Sequence, residues 1–283
     1  MIISEIMGGL GNQLFQYAAA RTVAMNNNSI LKLDLSWYNN SNSRPYLLNA
    51  FNTSPIEASI NEIKHLKEIT IKKLLQKFIL KNNNYKYIDK STGFDKKFEF
   101  IQNNTYMSGY YQSEKYFTSI EHIIRKEFCL KKPISTRYND VVSKIQTHNS
   151  ISLHIRRGDY HAINNILSLN YYYSAIEIMG NLLNKQLLLI AFSDDIDWAK
   201  KNLFVNYPII FIDGGNDFDS YEEMYLMSIC KHNIIANSSF SWWGAWLNNN
   251  PQKIVIAPAT WHAYSNTILL SQKDIVPESW ICI

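Results

Sequence analysis

Residues 151–160 read ISLHIRRGDY, an apolar stretch that ends in a run of polar side chains. Residues 151–155 predict a short buried strand, because a short apolar run bounded by polar residues and glycine is typical of one. Similar strands, separated by helical patterns, are predicted as far as residue 257. The predicted strands are 151–155, 187–192, 209–212, 233–236 and 254–257, and the predicted helices are 171–183, 195–203, 221–230 and 239–247. This alternation indicates an α/β fold with a parallel sheet.

Polar residues follow most of these strands. They occupy 154–159, 193–195, 213–216 and 237–241. The carboxyl ends of parallel strands meet at one edge of a sheet, and open α/β sheets bind their ligands there. The pattern therefore predicts a ligand cleft along this edge.

The N-terminal half also opens with a strand, a glycine turn and a helix. Residues 2–6 predict the strand, the glycines within 8–11 the turn, and Asn12 the helix N-cap. The turn lacks the Gly-Lys-Ser/Thr of a phosphate loop. Its glycines either let the backbone come close to a ligand or simply form a tight turn. Beyond it we expect a strand at 29–33, helices at 58–80 and 120–128, and short strands at best over 81–118.

The polar segment 131–149, which contains Pro133, separates the two halves. We therefore expect two domains, residues 1–145 and 146–283, with the final residues able to pack back on the first.

The composition is that of a globular protein, since 46% of the 283 residues are apolar and 18% are charged. The net charge of +4 is too small to indicate a nucleic-acid partner. No uncharged apolar run reaches the ~18 residues that suggest a membrane span. The cysteines, Cys129, Cys230 and Cys282, are too far apart for a disulfide framework or a zinc site. We therefore expect a reduced, cytoplasmic protein.

The segment after the first strand of the second half is basic. Side chains alternate along a strand, so His154 and Arg156 point to the same side. Two of the six arginines in the chain, Arg156 and Arg157, stand together here, and a guanidinium can fork onto phosphate oxygens. The segment predicts a diphosphate site; the alternative is a surface ion pair between Arg157 and Asp159.

A serine cluster follows the strand at 233–236. Ser238 and Ser239 precede a predicted helix, whose free N–H groups and positive dipole end suit a phosphate. Ordinary N-capping by either serine explains the cluster equally well. We expect Trp242 and its two neighbouring tryptophans, Trp243 and Trp246, to serve packing.

Two acidic pairs allow two interpretations each. Asp194 after the strand at 187–192 can bind a ribose or the N–H edge of guanine, whereas we expect Asp195 to cap the next helix. Asp217 and Asp219 match an Asp-x-Asp metal motif, but acidic residues are also common before a helix. We favour the helix interpretation for this second pair.

Five segments, in this order, resemble the α-1,2-fucosyltransferases of glycosyltransferase family 11. They read MGGLGNQLFQYA at 7–18, GYYQSEKYF at 109–117, HIRRGDY at 154–160, FSDD at 192–195 and NSSFSWWGA at 237–245. The His-x-Arg-Arg-x-Asp element is also similar to one in α-1,6- and protein O-fucosyltransferases. Five matches in sequence make the resemblance specific.

The resemblance implies a GT-B-like fold of two Rossmann-like domains facing a cleft, with the donor GDP-β-L-fucose bound by residues 146–283 and the acceptor side formed by 1–145. It implies inverting, metal-independent transfer to the 2-hydroxyl of a terminal β-galactose, with GDP-fucose as a co-substrate and no cofactor. The acceptor is a galactose-terminated oligosaccharide or a lipid-linked glycan, and a lipid-linked one would place the enzyme peripherally at the inner membrane. The implied donor-binding residues are His154, Arg156, Arg157, Asp194, Asn237, Ser238, Ser239 and Phe240, and those on the acceptor side are Gly9, Gly11, Asn12 and Gln13.

Such a transfer needs charge stabilisation and a base. Without a metal, Arg156, together with Arg157 and the serine cluster, must stabilise the β-phosphate of the leaving GDP. The acceptor hydroxyl must lose a proton, for which Asp159 is the first candidate and His161 the second.

Two other classes of protein remain open from the sequence. One is a metal-dependent glycosyltransferase of GT-A type that uses Asp217 and Asp219. The other is a non-catalytic carbohydrate-binding protein, suggested by the aromatic content of 13%.

Overall fold

The computed structural model describes residues 1–40, 44–67, 85–89, 93–158, 160–161, 163–183, 186–213, 219–261 and 274–283. The chain forms two compact units, Met1–Lys131 and Lys132–Ile283. Each unit has its own parallel sheet, which confirms the predicted α/β class with two Rossmann-like domains.

The first unit contains a five-stranded sheet. Its strands are β1 (Ile2–Glu5), β2 (Leu31–Asp34), β3 (Ile56–Glu57), β4 (Tyr85–Ile88) and β5 (Thr105–Ser108), in the order β3-β2-β1-β5-β4. Its helices are α1 (Leu10–Asn26), α2 (Ser36–Asn40), α3 (Ile60–Lys67) and α4 (Glu121–Glu127). Short 3₁₀ turns occur at Leu48–Ala50, Lys96–Phe100, Glu114–Tyr116 and Thr118–Ile120. The remainder of the predicted helix at 58–80, from residue 68 onward, lies outside the described residues.

Helix α1 begins two residues earlier than Asn12, so the expectation that Asn12 is its N-cap is wrong. Gly8 has φ +78°, a conformation that favours glycine. Gly9 is the N-cap, and its carbonyl accepts hydrogen bonds from the backbone N–H groups of Asn12 and Gln13. Thirteen of the 17 residues of α1 are buried, because the helix packs inside this unit.

Strand β5 is one of the short strands allowed over 81–118, but the sequence does not predict its bounds or its place in the sheet. It pairs with β1 near the middle of the sheet, and Thr105, Tyr106 and Met107 are buried. The Tyr106 hydroxyl donates to Asp34 Oδ2 at 2.7 Å. A hydrogen-bonded tyrosine thus occupies a core position in a segment whose composition is typical of a loop.

The second unit contains a six-stranded sheet. Its strands are β6 (Asn149–Ile155), β7 (Leu187–Ser193), β8 (Ile209–Phe211), β9 (His232–Ile234), β10 (Val255–Ala257) and β11 (Ile281–Cys282), in the order β11-β10-β9-β6-β7-β8. Its helices are α5 (Asn139–Thr147), α6 (Leu169–Leu183), α7 (Ile196–Asn202), α8 (Ser220–Ile229) and α9 (Ser239–Trp246), and a 3₁₀ turn covers Thr136–Tyr138.

Helices cover both faces of this sheet. Ile151, Leu153 and Leu189 point to one face and pack against α6 residues such as Met179. On the opposite face Ile190 joins a second apolar cluster. The two faces follow from the alternation of side chains along each strand.

The division between the units lies nearer the N-terminus than the expected boundary at 145/146. Residues 139–147, expected to belong to a polar linker, form α5, and Ile145 packs with Leu188 and Ile190 of β7. The final residues form β11, which pairs with β10 in the second sheet.

In the described part of the chain, no helix has both the length and the apolar character to cross a bilayer. The three cysteines are free thiols, with Cys230 buried and Cys129 and Cys282 exposed.

Candidate active site

Three neighbouring strands of the second sheet bring distant segments of sequence together. Strand β6 lies between β9 and β7, with Leu153 opposite Ile234 and Ile155 opposite Ser193. The polar residues that follow these three strands therefore share one edge of the sheet. They are the basic segment, the Asp194–Asp195 pair and the serine cluster predicted to bind the donor.

Arg156 and Asp194 form an ion pair at this edge. Arg156 Nη1 lies 2.9 Å from Asp194 Oδ2, and the two side chains are 15% and 24% exposed. The guanidinium carbon also lies 5.2 Å from the ring centre of Tyr160, within the range of a cation–π contact. Arg156 is thus a partly desolvated cation with a constrained orientation.

The second oxygen of Asp194 fixes the backbone of the basic segment. Asp194 Oδ1 accepts a hydrogen bond from the Arg157 N–H at 2.8 Å. A Cβ atom on Gly158 would lie 2.6 Å from Asp194 Oδ2, so only glycine allows this close approach. Asp194 is the residue predicted to bind guanine, and both of its carboxylate oxygens already contact other residues of the chain.

Arg157 has different neighbours from Arg156. Its guanidinium carbon lies 3.4 Å from the ring centre of Trp198, and its Nε lies 3.5 Å from Asp195 Oδ2. Asp195 Oδ1 accepts from the Trp198 N–H at 3.2 Å, which is the helix cap expected from the sequence. Arg157 is thus held against the start of α7.

His161 contacts Arg157 through its ring. Arg157 Nη2 lies 2.8 Å from His161 Nε2. A guanidinium can only donate, so this imidazole nitrogen accepts. In a neutral imidazole the proton then resides on Nδ1, and the ring has no second lone pair for an acceptor hydroxyl.

His154 is a buried, neutral histidine beside the ion pair. Burial lowers its pKa to about 4, with an opposing effect from Asp194 and a further lowering by Arg156. Its Nδ1 is buried without a hydrogen-bond partner among the described residues. Its ring centre lies 5.7 Å from that of Phe240. The side chain can therefore offer an uncharged hydrogen bond to a ligand at neutral pH.

The serine cluster forms the N-terminus of α9. Ser238 Oγ accepts from the Phe240 N–H at 3.3 Å, so Ser238 is the N-cap, while Ser239 and Phe240 are half-buried. Asn237, which is 2% exposed, donates from Nδ2 to the carbonyls of Asn165 and Trp261 at 3.0 and 3.1 Å. Its Oδ1 is buried and has no hydrogen-bond partner within the described ranges.

A tyrosine joins the basic segment to this cluster. The Tyr160 hydroxyl donates to the carbonyl of Asn237 at 3.0 Å. Neither Tyr160 nor Trp198 has an assigned role in the sequence interpretation, although Tyr160 is the last residue of the quoted motif HIRRGDY. Trp242 and Trp243 are fully buried and Trp246 is 4% exposed, as expected for packing residues.

In the first unit, the predicted acceptor-side residues lie at the N-cap and in the first turn of helix α1, and they differ in accessibility. Gln13 is fully buried; its Nε2 donates to the carbonyls of Gly8 and Pro45 at 3.1 and 2.8 Å, and its Oε1 accepts from the Leu47 N–H at 2.8 Å. Gln13 therefore anchors the 45–47 loop. Gly11 is buried in α1, whereas Gly9 and Asn12 are partly exposed.

Asn12 connects the first two of the five sequence motifs. Its Oδ1 accepts from Gln112 Nε2 at 2.9 Å, across 100 residues of sequence. The side chain that the sequence predicts as a helix cap thus holds the 109–117 segment instead.

A charged group at the carboxyl ends of β1 and β2 has no counterpart in the sequence interpretation. Lys67 Nζ lies 3.1 Å from Asp34 Oδ2 and 3.5 Å from Glu5 Oε1. Burial raises the pKa of Asp34, but hydrogen bonds from Ser36, Tyr106 and Lys67 lower it more, so the net direction is down. Asp34 directly follows the predicted strand at 29–33, and this position in the sequence indicates a polar residue at the carboxyl edge of the sheet.

Asp159, the predicted base, lies outside the described residues. So does Asp217, the first residue of the predicted metal pair, whereas Asp219 is described. Asp219 Oδ2 lies 3.9 Å from Arg137 Nη2, which also contacts Glu222 at 3.2 Å. Across the described ranges, no group of three or more His, Cys, Asp or Glu side chains could hold a metal ion.

Comparison with known proteins gives matches over the whole chain. The family model described as glycosyl transferase family 11 matches residues 1–283. The Escherichia coli O-antigen biosynthesis glycosyltransferase WbnK is 34% identical over 98% of this chain and 99% of its own length. An α-1,2-colitosyltransferase of Escherichia coli is 33% identical over 100% of this chain and 99% of its own length.

The fold is also similar to that of a solved enzyme. The crystal structure of the Bradyrhizobium α-1,6-fucosyltransferase NodZ, soaked with GDP-fucose, matches 87% of this chain and 91% of that chain with a TM-score of 0.50 and 15% identity. This match supports the GT-B-like architecture. The family model over the whole chain and the two full-length relatives show that the chain belongs to glycosyl transferase family 11.

Proposed function

We propose that this glycosyltransferase moves L-fucose from GDP-β-L-fucose to the 2-hydroxyl of a terminal β-galactose, with inversion at the anomeric carbon. The observation that carries the proposal is the meeting of His154, the Arg156–Asp194 pair and the Ser238 helix start at the carboxyl ends of β6, β7 and β9. Family 11 membership sets the reaction class, and the name of the colitosyltransferase relative supports an α-1,2 linkage.

Arg156 is the group best placed to bind the diphosphate. The leaving GDP gains negative charge on its β-phosphate as the glycosidic bond breaks, so a nearby guanidinium stabilises the transition state more than the substrate. The start of α9 adds backbone N–H groups with a positive dipole end. His154, neutral and buried, supplies a hydrogen bond to the nucleoside without adding charge.

The general base is assigned to Asp159. The acceptor hydroxyl must lose a proton to a nearby group or to a water that such a group orients. His161 is the weaker candidate, because its Nε2 already accepts from Arg157. Asp159→Asn should therefore lower kcat by about 10²-fold or more, whereas His161→Asn should have a smaller effect.

L-Colitose is a second candidate for the transferred sugar. It is L-fucose without the 3-hydroxyl, and the α-1,2-colitosyltransferase relative is 33% identical over the full chain. The five motifs resemble those of α-1,2-fucosyltransferases, and for this reason fucose stands first.

The proposed acceptor is a galactose-terminated oligosaccharide or lipid-linked glycan. The O-antigen relative WbnK supports a lipid-linked glycan, for which the protein would work at the cytoplasmic face of the inner membrane.

The decisive experiment incubates the purified chain with GDP-fucose or GDP-colitose and a panel of acceptors: lactose, N-acetyllactosamine and Galβ1-3GalNAc. We expect a fucosylated product whose α-1,2 linkage is read by NMR. Preferred transfer from GDP-colitose would replace fucose by colitose in the proposal. Sugar binding with neither GDP binding nor transfer would instead identify a carbohydrate-binding protein.

The proposal also predicts activity without a divalent metal. Arg156 and the helix start take the place of a metal at the diphosphate, so turnover should persist in excess EDTA. Loss of activity that Mn²⁺ or Mg²⁺ restores would overturn this prediction and make Asp217 and Asp219 the candidate metal ligands. Product formation at full rate in excess EDTA would exclude a requirement for either metal.

A further inference from the structure

Tyr160 contacts both halves of the proposed diphosphate site. Its ring lies under the Arg156 guanidinium, 5.2 Å from the guanidinium carbon. Its hydroxyl donates to the Asn237 carbonyl at 3.0 Å. Asn237 directly precedes Ser238, the N-cap of α9. One side chain therefore touches the cationic group and the loop that leads into the helix start.

These contacts lie at the sheet edge and outside the apolar interior. The two apolar clusters of the second unit, as far as the chain is described, do not include Tyr160. By contrast, Tyr171, Tyr172 and Tyr173 of α6 all belong to or pack against the first of these clusters. The contacts of Tyr160 with Arg156 and Asn237 therefore act on the polar edge of the sheet.

A guanidinium on a flexible side chain binds weakly unless its orientation is set beforehand, because ordering it at the moment of binding costs entropy. Asp194 holds one edge of the Arg156 guanidinium at 2.9 Å, and the Tyr160 ring covers one face. The hydroxyl contact then sets the distance between this cation and the N-terminus of α9. Both groups can contact one diphosphate only if that distance is right.

We infer that Tyr160 is a positioning residue for the diphosphate site. It holds Arg156 and the Ser238 helix start at the separation that lets both contact one diphosphate. The inference rests on the proposed function, because that function places the diphosphate at these two groups. Tyr160 itself need not touch the ligand.

The test measures binding of GDP and of guanosine to the intact chain, by calorimetry and ligand-observed NMR. Tyr160→Phe keeps the ring but removes the hydroxyl contact, and should raise the Kd for GDP by about 3–10-fold. Tyr160→Leu removes both contacts and should raise it by more than about 10-fold. The Kd for guanosine, which has no phosphate, should stay within about 2-fold of wild type in both variants.

Tyr173→Phe is the matched control. The Tyr173 hydroxyl donates to the Asn202 carbonyl at 3.2 Å, so this variant loses the same kind of contact elsewhere in the same unit. It should bind GDP as wild type does. A double variant, Tyr160→Phe with Ser238→Ala, should lose less affinity for GDP than the product of the two single losses, because both changes act on one loop.

The outcomes separate this inference from the proposed function. A wild-type chain that does not bind GDP refutes both. Wild-type GDP binding together with unchanged affinity in Tyr160→Leu overturns the inference alone. An equal loss of affinity for guanosine and GDP would also overturn it, because a general loosening of the unit affects both ligands.

Discussion

Arg156 and Arg157 are adjacent in sequence, yet their guanidinium groups lie in different surroundings. Arg156 pairs with Asp194 at 2.9 Å at the edge of the sheet. Arg157 stacks on Trp198 at 3.4 Å and contacts His161. The first arrangement suits a ligand contact and the second suits support of the loop.

Arg156→Lys should keep the fold but lower activity by about 10²-fold or more, because an ammonium cannot fork onto two phosphate oxygens. The loss should appear in kcat as well as in the KM for GDP-fucose, since the phosphate charge grows in the transition state. Arg157→Lys should lower activity less, because the Arg157 guanidinium contacts Trp198, Asp195 and His161 of the chain itself. Steady-state kinetics of both variants give the ranking.

Arg125→Lys is the control for these substitutions, since Arg125 pairs with Glu121 within α4 of the first unit. Its kinetics should match wild type. Near-normal turnover by a folded Arg156→Lys variant, or a larger loss in Arg157→Lys, would contradict the assignment.

At the scale of secondary structure, two helices begin next to the candidate site with a side-chain cap. Asp195 caps α7, and Ser238 caps α9. Capping residues satisfy backbone N–H groups that the helix itself leaves unpaired. The helix starts that border the site are therefore fixed by local hydrogen bonds.

Asp195→Ala should lower the free energy of unfolding by about 1 kcal/mol, because the cap of α7 is lost. Asp195→Asn should lower it much less, since asparagine caps about as well as aspartate and the contact with Arg157 is a long one at 3.5 Å. Denaturant unfolding followed by tryptophan fluorescence measures this, because six of the seven tryptophans belong to the second unit. Equal losses in the two variants would show that the ion pair, and not the cap, matters.

At the scale of the whole molecule, the buried His154 couples stability to pH. Its pKa is about 4 in the folded chain, compared with 6.5 for an ordinary histidine. Between these two values the unfolded chain binds a proton that the folded chain does not, so a falling pH favours unfolding. Well above pH 6.5 the histidine is neutral in both states and the effect vanishes.

The free energy of unfolding should therefore fall by on the order of 2 kcal/mol between pH 6.5 and pH 4. Below pH 4 the contribution of His154 should become constant, because the histidine is then protonated in both states. His154→Gln, which has no titrating group, should give a flatter profile over this window. Denaturant unfolding at a series of pH values measures both curves. Parallel curves for wild type and variant would show that His154 does not contribute.

Local patterns in the sequence predict most of the second unit. The apolar runs from β6 to β10 alternate with helical patterns, and the structure has strands and helices there with bounds shifted by a few residues. Asp195 as a helix cap and the buried tryptophans of α9 were also predictable, because caps and apolar helix faces are set by residues close together in sequence. The first unit is less regular: the sequence allows short strands over 81–118 but does not locate β5, and it misplaces the start of α1.

Tertiary structure alone decides which side chains meet. The Arg156–Asp194 pair, the contact of Tyr160 with Asn237, and the pairing of Asn12 with Gln112 join residues from 38 to 100 positions apart. No periodicity encodes such contacts, because they depend on the order and register of strands that are distant in sequence. For the same reason, residues 139–147 read as a polar linker but form α5, once β7 offers an apolar surface for Ile145. The sequence by itself thus determined the strand ends and the chemical groups that follow them, whereas the packing of β9, β6 and β7 side by side decided which of those groups form the site.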